Sequence, residues 1–133
     1  MSAARTRGTS ITQRHLAHLL DRVLFGDRIV FLSVHSAAQR HDFDVAAHLA
    51  REMNEGGRGL FEIQGRLRVI KSSKGALIFR HLDQEPWRIQ GANYDAVEFD
   101  HTAWNFGERS ARAGWADMAR GTVVQRRGAV RQW

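Results

Sequence analysis

The chain has 133 residues, of which 43% are hydrophobic, as expected for one folded domain rather than a disordered segment. It contains no Cys, which excludes disulfides and thiolate metal sites, so any catalysis would use Asp, Glu, His, Ser or Lys. No apolar run approaches the roughly 20 residues that span a bilayer, and no apolar segment follows the basic residues near the start, so we expect a cytoplasmic protein without a membrane partner.

Positive charge is concentrated toward the C-terminus. The formal net charge is +6, and residues 109–133 hold six Arg against one acid, Asp117. Trp104, Phe106 and Trp133 lie in the same third of the chain, and Trp with Arg dominates both interface hot spots and base-stacking platforms. Such a segment could bind DNA phosphates or an acidic protein surface, or form a solvated basic face. The predicted nucleic-acid or partner-binding residues are Arg109, Arg112, Arg126, Arg127, Arg131 and Trp133.

Two amphipathic helices and a buried strand are predicted in the first half. Ser10 and Gln13 form a capping box before an apolar helical stripe, and Gly26 ends that helix. Residues 28–34 are almost continuously apolar, which is typical of a strand covered on both faces. A polar loop over 35–40 then leads to a second helix over 41–53 with Phe43 on its apolar face. Strand, loop and helix in this order indicate an α/β fold.

Shorter elements follow in the second half. Residues 66–80 predict a β-hairpin near a sheet edge, with turn residues at 72–75, and residues 82–90 an irregular connection. Residues 91–101 predict a strand ending at Asp100, and Trp115 marks the buried face of a helix over 108–119. We expect a flexible basic N-terminus over 1–9, a single α/β domain over 10–121 with a small three-layer sheet, and a basic tail or strand over 122–133.

The order of motifs from Ile29 to Trp104 resembles the middle of the ATPase domain of phage large terminase subunits, the DNA-packaging motors. Four stretches carry the resemblance, which covers somewhat over half of the chain. They are a strand and loop, Val34-His35-Ser36-Ala37-Ala38-Gln39; a hairpin, Gly75-Ala76-Leu77-Ile78-Phe79; an Arg-Gly element, Arg88-Ile89-Gln90-Gly91; and a Walker B strand, Tyr94-Asp95-Ala96-Val97-Glu98-Phe99-Asp100-His101-Thr102. The resemblance implies a P-loop NTPase-like fold and a viral origin.

The sequence departs from that family at the residues needed for ATP hydrolysis. No Gly-x-x-x-x-Gly-Lys-Ser/Thr loop is present to hold phosphates, and His101 stands where the family has a Glu after the Walker B Asp, here Asp100. We therefore expect a degenerate NTPase-like fold that is not an enzyme and uses no cofactor.

Three other groups of residues have the side-chain types of metal or catalytic sites. Asp100 and His101 with Asp95 or Glu98 could ligate a metal, although a carboxylate capping a turn explains the pattern better, and we predict no metal site. His15 and His18 share a helix face whose neighbouring Arg residues suggest a solvated flank. His35, Ser36 and His41 could join Asp42 or Asp44 in nucleophilic catalysis, but no nucleophile-elbow motif is present.

Two functional classes remain from the sequence. One is a non-catalytic, DNA-binding viral protein on a terminase-like fold, located in the host cytoplasm. The other is a phage-encoded module that binds and modulates a host or viral protein. Either protein could form a homo-oligomer.

Overall fold

The computed structural model of the chain describes residues 10–56, 59–84, 94–122 and 129–132. Within them the chain forms four helices and six strands. The elements are α1 (Ile11–Leu24), β1 (Arg28–Ser33), α2 (Ser36–Asn54), β2 (Glu62–Gln64), β3 (Val69–Lys71), β4 (Ala76–His81), β5 (Ala96–Phe99), α3 (His101–Phe106), α4 (Arg109–Thr122) and β6 (Ala129–Gln132).

The strands form one mixed, open sheet in the order β2-β3-β4-β1-β5-β6. β1 pairs in parallel with β4 on one side and with β5 on the other, and β6 extends the parallel part beyond β5. β2 and β3 pair antiparallel at the other end. The predicted α/β class is therefore confirmed, and the apolar run of β1 is explained by its position in the middle of the sheet.

Helices cover both faces of the sheet. On the first face, α1 and α2 pack against β1 and β4 around Phe31 and Phe79, which lie in tilted contact at 5.6 Å between ring centres. On the second face, Trp115 of α4 packs with Phe99 and Leu32, and is 1% exposed. The alternation of side chains along each strand sends successive residues to these two cores, so the chain makes three layers.

The turn after β3 fixes the sheet against the end of α1. Gly26 ends α1 at a φ of +107°, and its N–H donates to Val23 O, the bond expected after a helix. The hydroxyl of Ser72 also donates to Val23 O at 2.8 Å and accepts from the Gly75 N–H. A Cβ on Gly75 would lie 2.6 Å from Val23 O, so only glycine fits this contact.

Three features differ from the prediction: the start of α2, the position of β4 and an additional short helix. α2 begins at Ser36 rather than at residue 41, because the His35 ring accepts from the Ala38 N–H at 3.1 Å and caps the helix in place of a Ser or Asp. The predicted hairpin pairs β3 with β4, but β4 lies inside the sheet beside β1 and not near an edge. Residues 101–106 form α3, a helix too short to show a period in sequence.

Some predictions lie outside the described residues. These are the flexible N-terminus over 1–9, most of the connection over 82–90, and the end of the chain at Trp133. Thr122, predicted to begin the last strand, is the final residue of α4, and the strand seen is β6. Among the helices that the structure describes, none has the length and apolar character to cross a membrane.

Candidate functional site

The carboxyl ends of β1 and β5 form the first candidate site. After β1 the chain turns to α2 on the first face, whereas after β5 it turns to α3 on the second. The Asp100 N–H donates to Leu32 O at 2.9 Å and fixes the two strand ends side by side. In open α/β sheets ligands bind at such a point, where neighbouring connections leave in opposite directions.

Asp42 is buried at this edge and is held by Ser33, the last residue of β1. The Ser33 hydroxyl donates to Asp42 Oδ2 at 2.6 Å. Burial raises the pKa of Asp42 from 3.8 to about 6; the Ser33 hydrogen bond and the histidines His41 and His101 lower it, while the charge of Asp100 raises it further. The carboxyl group of Asp42 therefore ionises near pH 6. The sequence analysis did not predict that Ser33 is its partner.

The Asp100 carboxylate accepts hydrogen bonds from two threonine hydroxyl groups. Thr12 of α1 donates to Oδ1 at 2.7 Å, and Thr102 donates to Oδ2 at 2.6 Å. His101 Nδ1 lies 3.4 Å from Oδ1 and 3.3 Å from the Thr12 hydroxyl. Asp100 stands at the N-cap position of α3 but caps no backbone N–H. Both of its oxygens are thus engaged by side chains of the protein.

The residues considered as possible metal ligands contact other side chains. Glu98 points to the same helix as Asp100, as strand alternation predicts, but its Oε1 lies 3.0 Å from His15 Nε2. The expectation that His15 lies on a solvated flank is wrong, because the residue is fully buried in contact with Phe31, whereas His18 is exposed. Among the described residues no cluster of three or more His, Asp or Glu could hold a metal ion.

The residues considered for nucleophilic catalysis do not form a triad in the described structure. His35 Nδ1 is used as the helix cap, and the serine that contacts Asp42 is Ser33 rather than Ser36. Asp44 is exposed on the far side of α2. The signal that could have found the Ser33–Asp42 pair is the position of Asp42 within the buried stripe of α2, since a carboxylate on an apolar face needs a partner.

The second candidate site is a groove between α3 and α4, which we call the helix groove. It encloses about 360 Å³ and is lined by Trp104, Arg109, Arg112, Ala113 and Ala116. The Arg112 guanidinium lies 5.1 Å from the centre of the Trp104 ring, and its Nη1 donates to Trp104 O. Phe99 packs edge-on to Trp104 at 5.3 Å. The sheet thus supports one side of the groove and holds its aromatic wall in place.

The structure brings together only some of the predicted binding residues. Arg109 and Arg112 both line the helix groove, with Arg109 exposed and Arg112 half-buried. Arg131 lies in β6, in register with Glu98 of β5. Arg126, Arg127 and Trp133 are outside the described residues.

The surface formed by the described residues is more cationic than the sequence composition suggests. Five carboxylates are buried, whereas no Lys or Arg of the described side chains is. The buried acids are Asp27, Asp42, Asp95, Glu98 and Asp100. The charges that face solvent are therefore weighted toward the positive.

Comparisons with known proteins identify no family. No protein-family model matches the chain, and a search of curated proteins returns no significant match.

Proposed function

We propose that this chain is a non-catalytic nucleic-acid-binding protein of phage origin, built on a degenerate terminase-like ATPase fold. The proposal of binding rests on the helix groove, which is lined by Trp104, Arg109 and Arg112 and by no carboxylate among the residues that the structure describes. Aromatic faces stack on bases and guanidinium groups bind phosphates, so this combination suits a nucleic-acid strand. The burial of carboxylates away from the surface supports the same partner.

The non-catalytic part of the proposal rests on the phosphate loop and on the strand end at Asp100. The sequence contains no Gly-x-x-x-x-Gly-Lys-Ser/Thr loop, and His101 follows Asp100. Both oxygens of Asp100 accept hydrogen bonds from threonine hydroxyls, which compete with any cation for this carboxylate. The terminase-like fold is supported by the position of β5 directly beside β1.

DNA binding is expected to depend on salt and on the helix groove. We expect the double substitution of Arg109 and Arg112 to Gln to weaken binding to short random-sequence DNA about tenfold, and to reduce the slope of log K against log salt by about 2, since each phosphate contact releases about one counterion. Fluorescence anisotropy between about 50 and 200 mM salt measures both quantities.

The matched control removes two arginines elsewhere. Arg40 and Arg51 are exposed on α2, on the opposite face of the sheet, and their double substitution to Gln makes the same change in net charge. An equal loss in both double variants would mean that net charge alone attracts DNA. Binding that does not weaken with salt would exclude phosphate contacts altogether.

A second function is favoured by Phe106, which is 79% exposed at the end of α3 beside the helix groove. An exposed aromatic side chain close in sequence to Arg109 is also a typical protein-interface anchor. The chain would then bind and modulate a host or viral protein that presents an acidic surface. A partner from host lysate that is retained after nuclease treatment, and is lost with Phe106→Ser, would favour this function over DNA binding.

A further inference from the structure

A separate pocket of about 230 Å³ lies on the second face of the sheet, over β3, β4 and the start of β1. Its lining includes three cationic side chains, Arg28, Lys71 and Arg80, and the ring of Tyr94. The helix groove shares no lining residue with it. We call it the sheet pocket.

The register of the sheet brings these cations together. Arg28 of β1 and Lys71 of β3 both pair with Ala76 of β4, one from each side, so their side chains share a face. Arg80 lies four residues along β4 from Ala76 and therefore projects to that face as well. The small side chain of Ala76, between the longer ones, leaves the space that forms the pocket.

Tyr94 closes the pocket from the side of β5. Its ring lies 5.9 Å from the Arg28 guanidinium, and the residue is 4% exposed. Burial raises the pKa of Tyr94, whereas the charges of Arg28 and Arg80, which line the same pocket, lower it. Two guanidinium groups and a phenol on one small cavity form a set of hydrogen-bond donors.

Among the residues that the structure describes, none of those lining the sheet pocket is a carboxylate. The nearby Asp95 uses Oδ2 to accept from the backbone N–H of Arg28 at 2.9 Å. Glu62, which pairs with Lys71 across the β2–β3 ladder, accepts from Gln64 Nε2 at 2.6 Å. Burial lowers the pKa of Arg80, whereas the charge of Tyr94 raises it, and Arg80 Nη1 donates to Phe79 O at 2.7 Å.

We propose that the sheet pocket is a phosphate-binding site that holds one phosphate group of a nucleic-acid strand. The claim that the phosphate belongs to a nucleic-acid strand rests on the proposed function. The claim that the pocket binds an anion rests on Arg28, Arg80 and Lys71. The volume lies below the roughly 300–1,000 Å³ of pockets for drug-sized ligands, so it fits a single phosphate rather than a whole nucleotide. Arginine forks give such a site its preference for phosphate oxygens.

Two titrations on the full chain test the site. Inorganic phosphate should shift the amide signals of Ala76 and Ile78 and the side-chain Nε–Hε signals of Arg28 and Arg80 in nitrogen–proton correlation spectra, and Arg28→Gln should weaken this binding at least about fivefold. In the DNA assay, Lys71→Gln should reduce the salt slope by about 1. Lys74→Gln is the matched control, because Lys74 is an exposed lysine of the adjoining turn outside the pocket, and it should change neither result.

The possible outcomes distinguish a failure of the phosphate site from a failure of the proposed function. If phosphate shifts none of these signals, the site is overturned. If phosphate binds but Lys71→Gln leaves the DNA salt slope unchanged while the helix-groove variant lowers it, the pocket takes free phosphate and the nucleic-acid assignment is overturned. If the unaltered chain binds phosphate in the pocket but no DNA, the proposed function fails and the anion site alone stands. Thermal melts of each variant exclude a loss through unfolding.

Discussion

Glu98→Ala is expected to lower the free energy of unfolding by about 3–5 kcal/mol, because it removes a buried carboxylate that pairs with Arg22 and contacts the buried His15. The Glu98 side chain is fully buried, with Oε1 3.0 Å from His15 Nε2 and Oε2 3.5 Å from Arg22 Nη1. Removing the carboxylate leaves both of those nitrogens without this acceptor inside the protein. Small domains are stable by only about 5–15 kcal/mol, so urea unfolding should show the loss clearly.

The chain supplies its own control for this experiment. His48 and Glu52 form another His–Glu pair at 3.6 Å, but on the exposed surface of α2. Glu52→Ala should change the free energy of unfolding by no more than about 0.5 kcal/mol, because water replaces the lost partner. Glu98→Gln, which keeps the shape and one acceptor oxygen, should fall between the two. Equal losses from Glu98→Ala and Glu52→Ala would contradict a structural role for the buried pair.

The free energy of unfolding of the Asp42→Asn variant, compared with that of the unsubstituted chain, should increase as the pH rises. Because the pKa of Asp42 is raised from 3.8 to about 6 in the folded state, the protonated form contributes stability below pH 3.8 that is lost as the pH rises through about 6. A difference of one in pKa between the folded and unfolded states corresponds to about 1.4 kcal/mol. The difference in unfolding free energy between variant and parent should therefore grow by up to about 3 kcal/mol.

Urea unfolding at pH 4 and at pH 7 measures this difference. Asparagine keeps an oxygen that accepts the Ser33 hydroxyl, so the substitution removes the charge and little else. Asp44→Asn makes the same change two residues later at an exposed position and separates burial from net charge. A difference between Asp42→Asn and parent that is the same at both pH values would rule out the raised pKa.

The parts of the fold that the sequence predicts are those where burial leaves a local pattern. In α1 the buried face appears in the sequence as an apolar stripe, and in β1 burial on both faces appears as a continuous apolar run. Both elements lie where the sequence predicts them. The sequence prediction placed β4 near a sheet edge because the strand is short, and so it did not predict the interior position. Its buried pattern from Ala76 to Phe79 is the signature of a strand covered on both faces.

The candidate site was harder to predict because its contacts join distant residues. Thr12 and Asp100 are 88 residues apart, and nothing near Thr12 indicates such a partner. Likewise, the sheet pocket depends on a register that places Arg28 and Lys71 on either side of Ala76. By contrast, Arg109 and Arg112 are close in sequence and one helical turn apart, so their shared groove was within reach of sequence analysis.

The central position of β1 also affects how the chain folds during synthesis. The hydrogen bond between Asp95 and Arg28 joins residues 67 positions apart, so β1 is complete long before its neighbour β5 exists. At about 5–20 residues per second, a ribosome needs on the order of 3–13 s to supply those residues. For that interval an apolar strand has an unpaired edge, which is the kind of template that promotes aggregation. Such non-local pairing also slows folding compared with a helical bundle of the same length, because a long loop must close first.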